Sequence, residues 1–431
     1  MRLFFVTAAA QDSVRKESWS YHFQMTLIEQ GHLKIRSPYS GKNSLQGNAE
    51  QALSITSTFY LGRRLWKGGA VYFDPEIAGG KGISGAVGLA GFSNGETVRI
   101  GDPAPTLYLA RLYLQQQFAL KRSEDEYEKA DANQLSGKIP SSRITITAGK
   151  FAIPDIFDNN NLSHDPRTQF MNWSLMGNGA WDYPANTRGY SAGACIELIK
   201  PNWAIRLSSM MMPKYANGPT LDGNYLNAHA ETAEWERKYK LHNQPGIIRF
   251  LVFRNASKAP VYREVIENKT NSTDTSLDVV NGKKYGGIKY GWGINAEQSL
   301  GKGFNAFLKA SWNDGKTATW AFTEIDRSIS IGLNISGEKW HCTKDEVGIA
   351  FVNNGISKDH KDFLNIGGYG FIIGDGKLPN YGRESIVEAY YKAWLFKYGW
   401  LTGDYQYVNN PGYNRDRGPV HIFSLRVHIE L

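Results

Sequence analysis

The stretch ESIVEAYYKAWLFKYGWLTGDYQYVNNPGYNRDRGPVHIFSLRVHIEL, residues 384–431, decides the fold. Near its end, His421, Phe423, Leu425, Val427, Ile429 and Leu431 fall in one row, and Ser424, Arg426, His428 and Glu430 in the other. Successive strand side chains point to opposite faces, so this segment is a β-strand with an apolar face and a charged one. Residues 384–395 repeat the device. Ser385, Val387, Ala389, Tyr391, Ala393 and Leu395 alternate with a row holding Glu384, Glu388 and Lys392 beside Ile386, Tyr390 and Trp394. A soluble sandwich strand can also alternate. The unbroken apolar row, and its recurrence along the whole chain, favour an all-β fold closed into an antiparallel transmembrane barrel.

Composition agrees. A soluble chain of 431 residues would form two or three domains, whereas a closed barrel uses that length in one. Hydrophobic residues make up only 41%, yet aromatics reach 13% and glycine 45 residues. A barrel explains this combination: half of each strand is apolar, the lumen is polar, and aromatics gather at both membrane interfaces. No run reaches the ~20 apolar residues of a membrane helix, which leaves a barrel untouched. The net charge of +8 is spread without a dense basic cluster, so nucleic acid is not indicated, and a mildly anion-tolerant pore is. Cys195 and Cys342 lie in no metal-ligand spacing and suggest neither a disulfide framework nor a cofactor. Met210, Met211 and Met212 have no nearby Cys or His and read as packing residues. Residues 1–11 (Met1, Arg2, the apolar Leu3 to Val6, then Thr7 to Gln11) resemble the end of a short secretory signal. Residues 12–431 are expected to form a single barrel domain.

In chain order, strands are expected at 19–32, 51–66, 69–77, 106–121, 144–153, 189–199, 203–212, 228–241, 246–255, 285–298, 303–313, 327–336 and 345–354. Three more follow between 384 and 431, making about sixteen, an even number as outer-membrane barrels require. Gln244, Pro245 and Gly246 read as turn chemistry. Long insertions are expected at 79–105, 154–187, 262–284 and 357–383, the first of them folded inward. Segment 123–138 is charged and loop-like, its acidic cluster (Glu124, Asp125, Glu126 and Glu128) reading as a solvated face or short helix. No repeat of roughly 40–50 residues supports a propeller.

Several stretches, in order, resemble the carbohydrate-selective porin family, the OprB-type porins of bacterial outer membranes. They are PYSGKNSL (38–45), FSNGETVRIGDPAPTLYLARLYL (92–114), GKFAIPDIFDNN (149–160), DPRTQFMNWSLMGNGAWDYPANTRGY (165–190), GDGKLPNYGRES (374–385) and DYQYVNNPGYNRDRGPV (404–420). The resemblance covers nearly the whole chain. It implies a sixteen-stranded barrel, inward loops that narrow the pore, passive diffusion of small mono- and oligosaccharides, and no cofactor. One departure is Leu431, where such barrels often end in an aromatic residue read by the barrel insertion machinery.

A sugar pore needs flat aromatic faces for the ring and charged or amide groups for its hydroxyls; pore selectivity follows diameter, lining donors and acceptors, and local field. Candidate loop residues are Glu96, Arg99 and Asp102 in one insertion, and Asp165, Arg167, Trp173, Trp181, Asp182 and Arg188 in another. Arg111, Glu388, Lys392 and Arg426 are expected to face the lumen from strands. Each charge has a plainer reading as a structural ion pair in the barrel wall. Each Trp has one as an interface or loop-packing residue. Other classes stay open: a porin for phosphate or other anions, and a surface carbohydrate-binding β protein. An enzyme is disfavoured: His-Glu-X-X-His does not occur, and the Gly-X-Ser-X-Gly pattern at Gly91 to Gly95 falls in the 79–105 insertion rather than on a strand-to-helix elbow. The partners expected are small sugars, outer-membrane lipid and the insertion machinery, with monomer and homotrimer both open.

Overall fold

The computed structural model describes residues 17–97 and 104–431. The expected signal remnant, and with it Arg99 and Asp102, lie outside the described residues. The strands are β1 (Trp19–His32), β2 (Glu50–Trp66), β3 (Gly69–Gly80), β4 (Thr106–Ala119), β5 (Asp125–Glu128), β6 (Gly137–Pro140), β7 (Arg143–Phe151), β8 (Ser191–Lys200) and β9 (Trp203–Met211). They continue with β10 (His229–Leu241), β11 (Gln244–Ser257), β12 (Gly287–Gly301), β13 (Phe304–Asn313), β14 (Arg327–Ser336), β15 (Glu346–Gly355), β16 (Glu384–Phe396), β17 (Gly399–Asn409) and β18 (Val420–Glu430). All except β5 and β6 form one closed antiparallel barrel, in which β18 pairs with β1. Closure leaves no open sheet edge, a condition for crossing a membrane interior that offers no hydrogen bonds.

The two-residue period sorts the barrel wall as expected. On β14, Ile329, Ile331 and Leu333 are exposed while Ser330 and Asn334 are buried. On β18, Phe423 and Leu425 point outward while Ser424, Arg426 and His428 point inward. Trp19, Tyr21, Trp66, Tyr239 and Tyr398 are exposed near the short-turn end, where an aromatic girdle belongs. Short turns at 67–68, 201–202, 242–243, 302–303 and 397–398 alternate with long loops, which assigns the short-turn end to the periplasm.

Three local expectations are corrected. Segment 123–138 is loop-like and largely exposed but holds no helix: β5 and β6 within it pair as a small hairpin, and Arg143 holds Glu126 at 3.1 Å. The turn expected at Gln244–Gly246 falls earlier. His242 and Asn243 take φ of 48° and 63°, the two left-handed residues that a two-residue hairpin needs, and Gln244 already pairs with Leu241. Insertion 262–284 opens with helix α2 (Tyr262–Thr270), α1 being the short turn Trp173–Met176. Tyr262 stacks on His360 of α3 (Lys358–Asn365), with ring centroids 4.5 Å apart.

The packed core is not between sheets but inside the barrel, where loops fill the lumen. Ile83, Leu89, Phe92, Phe157, Phe170, Leu175, Trp320, Phe363 and Ile372 are fully or almost fully buried there. Gly88 shows the tightness. Its φ is +91°, and a Cβ on it would lie 2.1 Å from the Leu45 backbone nitrogen. Met210 and Met212 are buried in this core. Cys195 is buried, Cys342 is exposed, and both are free thiols.

Candidate functional site

Charged residues of the lumen wall hold two loops inside the barrel. Glu384 accepts from the backbone N–H of Ala90 (3.0 Å), Gly91 (2.7 Å) and Gly412 (2.8 Å). Two inward-facing positions along the same strand, Glu388 accepts from the N–H of Met171 (2.5 Å) and Asn172 (3.1 Å). Arg426 donates to the carbonyls of Pro166 and Gln169, both at 2.7 Å. Lys309 donates to those of Ser163 (2.6 Å) and Leu175 (2.9 Å). Loop residues 81–97 and 152–190 also bond to each other, Trp173 N–H to Phe92 O at 2.8 Å and Gly95 N–H to Met171 O at 2.8 Å. A buried charge unmatched by hydrogen bonds is costly, so these contacts explain why charged residues stand on an inward-facing strand row.

Between the loops and the wall of β2–β4 lies the narrow part of the lumen, bordering a cavity of about 860 Å³. Arg167 is its hub. Nε donates to Glu96 Oε2 (2.8 Å), Nη2 to Glu76 Oε2 (3.1 Å), and Nη1 to Tyr60 Oη (2.9 Å), Thr58 Oγ1 (3.2 Å) and Gln24 Oε1 (3.2 Å). Glu76 also accepts from Tyr190 Oη at 3.0 Å and from Tyr108 Oη. Arg111 forms a two-pronged pair with Asp155 (2.7 and 2.8 Å) and lies 5.2 Å from the Tyr190 ring. The Arg188 guanidinium lies 3.9 Å over the Tyr108 ring, and its Nη1 has no hydrogen-bond partner among the described residues. Burial pushes the Glu96 carboxyl up, and the charge of Arg167 offsets this only in part. Burial acts the same way on Asp165, but the charge and N–H of Arg167 prevail and hold it below the usual carboxylate range. On the opposite wall Arg206 and Arg249 form a ladder with Glu197, Glu234, Glu236 and Glu297, with contacts of 2.8–3.1 Å.

The residues singled out in the sequence thus divide. Glu96, Arg111, Asp165, Arg167 and Arg188 come together at the cavity, and Trp173 reaches it by an edge. Trp173 is otherwise loop core, stacked 5.5 Å from Phe322 with its indole N–H on Asn94 O. Trp181 and Asp182 lie away from the cavity. Trp181 is 1% exposed, and Asp182 accepts from the N–H of Trp320, Ala321 and Phe322 at 2.8–3.0 Å. Glu388 and Arg426 anchor the loop, and Lys392 lies near the short-turn mouth, 3.7 Å from Glu346. Sequence reasoning missed Glu76, Tyr60, Tyr108, Tyr190 and Asp155. Asp74 and Glu76 share one row of β3, a signal that was available.

A closed barrel with an apolar outer belt, a polar lumen and loops narrowing it from one end is an outer-membrane porin. The family model for the carbohydrate-selective porin, OprB family, matches residues 47–431, and the chain belongs to that family. It is accordingly a porin of the bacterial outer membrane for the diffusion of carbohydrates, a channel rather than an enzyme. The high-pH structure of Pseudomonas putida OprB is similar in fold, with a TM-score of 0.71, 14% identity, and 96% of this chain and 94% of that chain covered. The structure of Acinetobacter baumannii OccAB1 is similar at a TM-score of 0.49 and 11% identity, with 98% of this chain and 99% of that chain covered. A search of curated proteins returns no match.

Proposed function

We propose that sugars are selected where the inward loops meet the wall of β2–β4, at Arg167, Glu96, Glu76, Arg111, Arg188 and the tyrosines around them. The observation that carries this is charge balance. The described cavity lining holds Glu76, Glu96, Asp155, Asp165, Glu197 and Glu236 against Arg111, Arg167, Arg188, Arg206, Lys238 and Arg249. Equal numbers of each sign give a dense field of donors and acceptors without a net field to collect anions. That suits a neutral polyol better than phosphate. Tyr60, Tyr108 and Tyr190 add aromatic surface for the apolar side of a sugar ring. Among the described residues of the cavity lining, Arg188 has a donor to spare. The sugar takes no covalent part: it exchanges water for these groups and diffuses on, with no coupled energy source. The outward apolar row meets outer-membrane lipid.

Single-channel conductance in a planar bilayer with glucose titrated in tests this reading. Glucose is expected to block the current reversibly. Arg188→Ala is expected to weaken the block about tenfold, the scale of one hydrogen bond to a charged donor. Conductance that no sugar reduces would sink sugar selection at this constriction and leave a general pore.

A further inference from the structure

A second chamber, of about 450 Å³, opens at the short-turn mouth against the far wall. Its floor is set by strand register. Trp394 of β16 pairs with Trp400 of β17, and Trp400 with His428 of β18, so the three stand side by side on the inward row. The next row inward is Lys392, Thr402 and Arg426. The far side is closed by Arg167 and Thr168 of the inward loop, and the rim carries Lys344 and Lys397 from two short turns.

Three features separate this chamber from the main cavity. Its charged lining is unbalanced, with Arg167, Lys344, Lys392 and Lys397 against Glu430 alone. Arg167 is engaged by Glu76 and Glu96, and Lys392 stands near Glu346. Lys344 and Lys397 form no ion pair among the described residues; their ammonium groups rest over the rings of Trp394 (3.9 Å) and Tyr398 (4.6 Å). Such cation–π contacts at exposed sites are weak enough to yield to a full anion. Finally, His428 is 1% exposed and bonded through Nδ1 to Thr26 Oγ1 at 2.9 Å, while its Nε2 has among the described residues only the loose contact to Glu430 Oε2 at 3.7 Å. Buried ring nitrogens are normally closely hydrogen-bonded, so one held this loosely beside a chamber has room for a ligand hydroxyl or water between it and Glu430.

We infer that this chamber is a binding site for acidic monosaccharides, a pyranose ring bearing a carboxylate, placed at the exit of the pore. The indoles of Trp394 and Trp400 supply the surface for the ring. Lys344 and Lys397 receive the carboxylate, and His428 and Thr402 meet hydroxyls. A sugar acid leaving the constriction is retained there briefly, which neutral sugars are not. The site does not depend on how the constriction selects sugars, since it shares only Arg167 with it.

The test uses the full chain in planar bilayers, with glucuronate, glucose or acetate added on the short-turn side. Glucuronate is expected to block at a concentration at least fivefold below that of glucose, and acetate not to block. The double variant Lys344→Gln, Lys397→Gln is expected to bring the glucuronate-to-glucose ratio close to one while glucose block persists. Equal block by glucuronate and glucose in the native chain would overturn the site, as would a preference that survives the double variant. Acetate blocking as well as glucuronate would reduce it to a plain anion trap and overturn the sugar part. Loss of glucose block in the native chain bears on the constriction instead, so the two readings fail separately.

Discussion

Arg167 Nε donates to Glu96 Oε2 across 2.8 Å, an ion pair between the two loops that enter the barrel, added to the backbone hydrogen bonds that already join them. The same guanidinium reaches Glu76 on the wall at 3.1 Å. Two loops and one strand, far apart in the chain, are thereby locked into a narrow passage.

Arg167→Ala removes the cation between Glu76 and Glu96. Breaking one side of a buried ion pair costs roughly 3–5 kcal/mol, because the remaining charge stays uncompensated. The loops are expected to loosen, the single-channel conductance to rise and selectivity to shift toward cations. Unchanged conductance in a folded variant would show that Arg167 does not define the passage.

Glu388→Gln keeps the size but halves the acceptors. Its amide NH₂ then faces the N–H of Met171 or Asn172, leaving one of them unsatisfied, at about 1–3 kcal/mol. The barrel is expected to form, while the inward loop becomes sensitive to limited proteolysis and the current noisy. A quiet channel with a protected loop would argue that Arg426 and Lys309 hold the loop unaided.

The long-loop cap is expected to be acid-sensitive. Asp326, at the end of the 314–326 loop, accepts from His360 at 3.1 Å and from Ser357 N–H at 2.8 Å. Burial pushes its carboxyl up, but the charge and hydrogen bond of His360 outweigh that, with Lys289 helping, and hold it below the usual value. A group depressed in the folded state contributes stability above its unfolded value, near ~3.9, and loses it as pH falls through the folded value. Hydrogen exchange in α2 and α3 should therefore be slow at pH 6 and speed up below about pH 4, beyond the intrinsic change with pH. Protection that stays flat down to pH 3 would contradict this, and Asp326→Asn should show weakened protection already at pH 6.

Ile331→Arg probes the outer wall. Ile331 is 54% exposed in the middle of β14, on the row assigned to lipid. An arginine at the bilayer midplane of a barrel costs about 2–4 kcal/mol, against almost nothing on a water-exposed surface. Folding into lipid vesicles, followed by urea titration, should show that loss. Ser330→Thr, on the inward row, should leave lipid folding unchanged. No loss for the arginine variant would mean the row does not meet lipid.

The sequence by itself determined the wall. Alternation relates each residue to its neighbours two along, so Phe423, Leu425 and Ile331 announced an outward face, and Arg426 and Glu388 an inward one, without knowledge of any distant contact. Ordered resemblances carried the family. Only the tertiary structure decided what the inward charges do. Glu388 and Arg426 lie on the row expected of pore residues, yet each is spent on loop backbone, because a polar group buried in a filled lumen must be matched where it stands. Trp181 and Asp182 lie in a segment expected to narrow the pore, and they pack its interior. The passage itself unites Gln24, Tyr60, Glu76, Glu96 and Arg167 from three strands and two loops. No local period links such residues; loop closure through the lumen brings them together, and that is a property of the folded chain alone.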